Sequence, residues 1–181
     1  MTTITSVETK WVIDSMHSEV QFKVKHLMIS TVTGSFGKFS GTVTTQSEDF
    51  ENAEIQFSLD VNSISTNQEM RDNHLKGEDF FQAGKYPTID FKSSSFKKTI
   101  DTSYALVGNL TMKGITKEVE LNVGFGGESK DSRGNLKAGF EISGTINRKD
   151  FGLTYNALTE TGGLALSENI KLIANIQVAR Q

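Results

Sequence analysis

Residues 71–81 read RDNHLKGEDFF, and they crowd Arg71, Asp72, His74, Lys76, Glu78 and Asp79 against Phe80 and Phe81. Carboxylate, imidazole and cation side by side are the components of acid–base chemistry. They are equally the components of a polar turn that folds down onto its phenylalanines. The other histidines are His17 and His26. Their spacing is odd, so on one straight strand they face opposite sides of a sheet. With no HxH or HExxH spacing, the sequence offers no metal site. It has no cysteine, and therefore no thiolate nucleophile. No serine sits in a GxSxG turn, and the glycines follow neither phosphate-binding pattern. No catalytic residue is assigned on these grounds.

Two further polar residues stand on apolar rows. His26 shares the parity of Val20, Phe22 and Val24, and Arg148 shares that of Phe140, Ile142 and Ile146. On unbroken strands both point inward. An isolated buried charge is very costly, so an inward Arg148 needs partners, and Asp150, Asp72 and Asp79 are the candidates. Such residues can be structural ion pairs and satisfied core groups, or the polar end of an apolar cavity.

The elements that would position them are strands. Alternation of period two runs through Val20–Val24, Ile55–Val61, Val119–Phe125, Phe140–Ile146 and Ile170–Val178, with weaker runs around Val43, Ile89 and Phe91, and Tyr104 to Met112. Each gives one apolar and one wet face, and together they make about eight strands. The polar or glycine-rich breaks TGSFGKFSG, MKGITK, GGESKDSRGN and ETGG suit antiparallel hairpins rather than crossover helices. The longest interruption, residues 65–87, leaves room for one or two short helical pieces capped by Ser65 or Thr66. Pro87 then favours an extended Tyr86 and opens the next strand. Eight such strands close into a barrel or stack as a sandwich. A barrel of that size holds one small ligand or packs solid.

The chain has 181 residues, a formal charge of −3 and no basic block. Length predicts one domain, and the charge carries no nucleic-acid footprint. The opening MTTITSVETK is polar, unlike a secretory leader. A cytoplasmic location is expected, or a periplasmic one if a leader has been removed. No apolar run approaches a membrane helix. The organisation read from this is a polar segment over 1–10 and a single barrel domain over 11–181.

The stretches WVIDSMHSEVQFKVKHLMISTVTGSFGKFSG, SISTNQEMRDNHLKGEDFFQAGKYPTIDFKSSSF, LVGNLTMKGITKEVEL and TINRKDFGL occur in that order. In this the sequence resembles the YceI-like family of lipid- or polyisoprenoid-binding proteins. The motif positions that carry over are His17, His26, Arg71, Asp72, His74, Leu75, Phe80, Phe81, Pro87, Arg148 and Asp150. The resemblance implies an all-β, extended, eight-stranded antiparallel lipocalin-like barrel with short helical segments between strands. It implies an apolar tunnel for an isoprenoid or fatty chain, bound without catalysis for carriage or sequestration, and a homodimer. No cofactor is implied beyond the lipid itself. The residues expected to meet it are Phe22, Val24, His26, Phe57, Leu59, Arg71, His74, Leu75, Phe80, Phe81, Phe91, Leu121, Ile142, Arg148 and Leu172. Two other readings stay open: an enzyme acting on such a lipid through His26, His74 or Asp79, and a ligand-free structural or interaction module.

Overall fold

The computed structural model describes residues 8–156 and 165–181. Its strands are β1 (Thr9–Ile13), β2 (Glu19–His26), β3 (Ser30–Phe36), β4 (Phe39–Thr45), β5 (Glu54–Asp60), β6 (Ile64–Ser65), β7 (Thr88–Lys98), β8 (Ser103–Met112), β9 (Ile115–Lys130), β10 (Leu136–Asn147) and β11 (Asn169–Arg180), with one helix, α1 (Glu69–Lys76), between β6 and β7. Every pairing is antiparallel. The order β1-β4-β5-β7-β8-β9-β10-β11 closes on itself through β1–β11, which makes an eight-stranded barrel. The pair β2–β3 continues β1 and β4 above a kink, with β2 on β11 and the short β6 on β3.

That kink is chemically specified. Asp14 ends β1 and caps the single turn Ser15–His17 by accepting from the Met16 amide. Its carboxylate also meets His17 Nδ1 at 2.8 Å and Lys137 Nζ at 3.2 Å. The hydrogen bond from His17 is the main cause that holds the Asp14 carboxyl below its ordinary value, with Lys137 adding to it against some desolvation. Buried Ser18 then donates to the Asp14 carbonyl and accepts from the Gln177 amide, which ties the kink to β11.

The breaks differ in detail from their sequence expectation. TGSFGKFSG is nearly all strand, with only Gly37 and Lys38 between β3 and β4. Its Gly34 is required by close approach: a Cβ there would overlap the Phe22 ring, which lies flat across the facing strand. GGESKDSRGN begins inside β9, which runs to Lys130, and the turn is confined to residues 131–135. There Asp131 accepts from the Arg133 and Asn135 amides. ETGG lies outside the described residues. The helix is capped by Gln68, whose side chain accepts from the Arg71 amide, not by Ser65 or Thr66. Thr66 is instead buried and faces Asp72 and Arg71.

One end of the barrel is plugged by aromatic rings. Phe50, in the β4–β5 connection, is 2% exposed. Its ring meets Trp11 at 5.2 Å, Phe125 at 5.4 Å and Phe140 at 5.0 Å between centroids. Phe96 and Tyr104 stack nearby at 4.5 Å. The opposite end is covered by α1 and the return segment after it. The Phe81 amide donates to Leu75, Gln82 to Gly77 and Ala83 to Lys76, which folds 77–87 back on the helix. No helix among the described residues is long and apolar enough to cross a membrane.

Candidate functional site

Between the aromatic plug and α1 the barrel encloses a cavity of about 510 Å³, within the usual ~300–1,000 Å³ of ligand sites. The alternation seen in the sequence builds its wall. Phe22, Val24, Phe57, Leu59, Phe91, Leu121, Ile142 and Leu172 all line it, with further residues of the same rows such as Val20, Val123, Ile170 and Ile176. The barrel is therefore not packed solid. Leu75, Phe80 and Phe81 close it from the α1 side, and Phe81 meets Phe36 edge-on at 6.3 Å.

The charged and titratable groups that reach the cavity are His26, Arg71, His74, Arg148 and Tyr155, and they lie at the α1 end. No carboxylate lines it among the described residues. Arg148, 3% exposed, begins the short turn that follows β10. Its expected partners are not Asp150, Asp72 or Asp79. Nε donates to the Ser167 carbonyl at 2.9 Å, and Nη1 donates to Leu153 and Tyr155 carbonyls at 2.6 and 2.7 Å. Backbone wins over carboxylate because the chain turns around the guanidinium at Arg148–Tyr155 and brings Ser167 back beside it. Nη2 is buried with no partner among the described residues. Burial pushes the guanidinium below its ordinary value, opposed by the charge of Glu168.

The aspartates are engaged elsewhere. Asp72 Oδ1 accepts from the Thr66 amide and hydroxyl at 2.8 and 2.5 Å. Arg71 Nε and Nη2 donate to the Thr66 hydroxyl and carbonyl, both at 2.8 Å. Asp79 meets His74 Nε2 at 2.9 Å, with both side chains about half exposed. Asp150 is exposed. The crowded RDNHLKGEDFF segment is thus a pinned cover: Arg71 and Asp72 both hold Thr66, and His74 pairs with Asp79. His26, half-buried at the end of β2, bridges to Leu166. His17 is on the exposed kink, paired with Asp14, and does not line the cavity. Among the described residues no cluster of histidine and acidic residues could hold a metal ion.

Sequence reasoning missed Thr66, Tyr155, Leu166 and Phe50. All four lie outside the long strands, where no periodicity marks an inward face. Asn156 has a signal only in hindsight: its side chain bonds both the amide and the carbonyl of Leu166, which lines the cavity.

Comparison with known proteins agrees with this architecture. A crystallised YceI protein of Campylobacter jejuni is 33% identical, covers 88% of this chain and 91% of its own, and superposes with a TM-score of 0.74. Burkholderia cenocepacia BcnA, 22% identical, shares the fold with a TM-score of 0.79 over 91% of this chain and 98% of its own. A polyisoprenoid binding domain from Saccharophagus degradans, 15% identical, does so at 0.67 over 94% and 98%. A UPF0312 protein of Staphylococcus aureus (strain N315) is 38% identical over 170 residues, 93% of this chain and 96% of the relative. The YceI-like domain model matches residues 11–178, and the chain belongs to that family.

Proposed function

We propose that this protein binds the chain of an amphiphilic isoprenoid or fatty lipid in the barrel, without turning it over, to carry or sequester it. The observation that carries this reading is the apolar cavity of about 510 Å³ with the charged and titratable side chains that reach it, His26, Arg71, His74, Arg148 and Tyr155, gathered at the α1 end. Each buried methylene contributes about 0.8 kcal/mol, so about ten give roughly 8 kcal/mol gross, near micromolar affinity before ordering costs. The head then needs only to be oriented. In this reading it meets the unpartnered Nη2 of Arg148, with Arg71, His74 and Tyr155 around it. A guanidinium hydrogen is always a donor, so an oxygen acceptor on the head is the fitting group. The Saccharophagus degradans neighbour, described as a polyisoprenoid binding domain, supports the same class of ligand. The reading includes a homodimer, on the family resemblance, and sedimentation velocity tests it.

The test is to extract the purified protein with organic solvent and weigh the released molecules by mass spectrometry. One or more single-chain lipids at near-stoichiometric amount is the expected result. A barrel that stays empty after incubation with prenyl alcohols, prenyl phosphates and fatty acids would sink the proposal. Chemical change of the loaded lipid on incubation would overturn its non-catalytic part.

A further inference from the structure

The hairpin that joins β2 to β3 breaks two rules at once. Leu27, Met28 and Ile29 are consecutive, and they are 42%, 71% and 84% exposed. Single exposed apolar residues are ordinary, but a run of three is not, unless it has a partner. The turn is closed by the Ile29 amide donating to His26 at 3.2 Å. Both of its central residues are left-handed, Leu27 at φ 54° and Met28 at φ 59°. Asn-Gly is the pair that suits such a turn, and branched or long side chains there cost stability. The chain therefore keeps a strained turn and shows its greasy side chains to water.

The position of the tip gives the reason. The Leu27 amide bonds the Ala165 carbonyl, His26 bridges to Leu166, and Ser167 both donates to Lys25 and accepts from Arg148. The tip is thus on the rim of the cavity, at the Arg148 end. Lys25 and Lys23 face outward on β2, and Lys171 stands opposite Lys23 on β11. None of the three has an ion pair among the described residues, and the neighbouring Glu168 is taken by Lys149 at 2.8 Å. At the usual strand rise Lys25 lies ~7 Å behind Leu27, within the ~8 Å reach of a charge in physiological salt, and Lys23 ~13 Å behind it, where its charge acts mainly at low salt.

We propose that the β2–β3 tip is a membrane-docking element: Leu27, Met28 and Ile29 enter the head-group layer of a bilayer bearing anionic lipids, while Lys23, Lys25 and Lys171 hold its surface. The proposal uses the lipid-binding reading to explain why the rim should meet a bilayer, but the surface stands on the hairpin's own geometry. Apolar insertion and basic flanks are the two forces that hold peripheral proteins to membranes.

The experiment is flotation of the full chain with phosphatidylcholine vesicles, with and without phosphatidylglycerol. Capture is expected, stronger with the anionic lipid and weakened by salt. Replacing Leu27→Asn with Met28→Gly installs the favoured turn pair. This double variant should unfold at a higher temperature yet bind vesicles about tenfold or more weakly, so misfolding cannot explain the loss. Ile100→Asp, at an exposed apolar residue in the opposite turn, should leave capture unchanged. Failure of the native chain to float, or equal capture of the double variant, overturns the docking role. So does a double variant that loses a dimer in sedimentation while the native chain ignores vesicles. The two proposals fail separately. An empty barrel that floats supports docking and overturns lipid carriage, and a loaded barrel that does not float overturns docking alone.

Discussion

The ring of His74 stands edge-on to that of Tyr155, with centroids 5.0 Å apart and planes at 81°. Phe80 completes the group at 5.0 Å from each. This contact joins the α1 cover to the segment that Arg148 holds by its backbone. A double-mutant cycle of His74→Ala and Tyr155→Ala should give a coupling of about 0.5–1.5 kcal/mol in denaturant unfolding. The half-exposed Asp79 pair should add little to the cost of His74→Ala. If the cover gates the cavity, each single variant should also exchange an extracted and reloaded fatty acid faster than the native chain.

Arg148 is the buried charged side chain among the described residues, and among their charged groups it should matter most to folding. Arg148→Met removes the donor from the Ser167, Leu153 and Tyr155 carbonyls, each costly to leave unpaired when buried. A loss of about 2–4 kcal/mol is expected in urea unfolding. Arg148→Lys keeps the charge but not the planar fork, and should recover only part of it.

Phe50→Ala should open the plugged end. The cost expected for a buried phenylalanine is about 3–5 kcal/mol, measurable by urea unfolding. If the cavity takes a lipid chain, the population extracted from this variant should shift towards longer chains, as mass spectrometry would show.

Asp14 sets an acid dependence. Its folded value is depressed, mainly by His17, so its contribution is present above the unfolded carboxylate value and is lost as pH falls through the folded one. The native chain should lose stability below about pH 4. Asp14→Asn should be less stable than the native chain at neutral pH and show a shallower acid fall. Part of that fall should persist, because Asp131 and Glu168 are also held low, by the Asn135 amide and by Lys149 respectively. Thermal unfolding across a pH series checks the sign.

The wall of the barrel was legible in the alternation because each strand has one dry face, and parity alone sent Phe22, Leu59, Leu121 and Leu172 inward. Parity also sent His26 and Arg148 to the cavity, since His26 ends β2, Arg148 directly follows β10, and both rows are otherwise apolar. The partners of Arg148 were not legible. They are carbonyls of Leu153, Tyr155 and Ser167, and a carbonyl leaves no mark on the sequence. The helix cap was misread for a related reason. Thr66 looked like a cap, but its hydroxyl is engaged by Asp72 and Arg71, which leaves Gln68 to meet the Arg71 amide.

The last strand has an outsized share of the pairing. β11 bonds β10 along its length, β2 along Lys171–Asn175 and β1 at Val178–Arg180. Until those residues leave the ribosome, the growing sheet ends in two ragged borders, one on β10 and one on β1 and β2. Unpaired borders of this kind recruit other chains, and distant pairings form late. Newborn molecules therefore stay an open, sticky ribbon until β11 has emerged and closes the ring. Chaperone demand should accordingly be greatest in that interval.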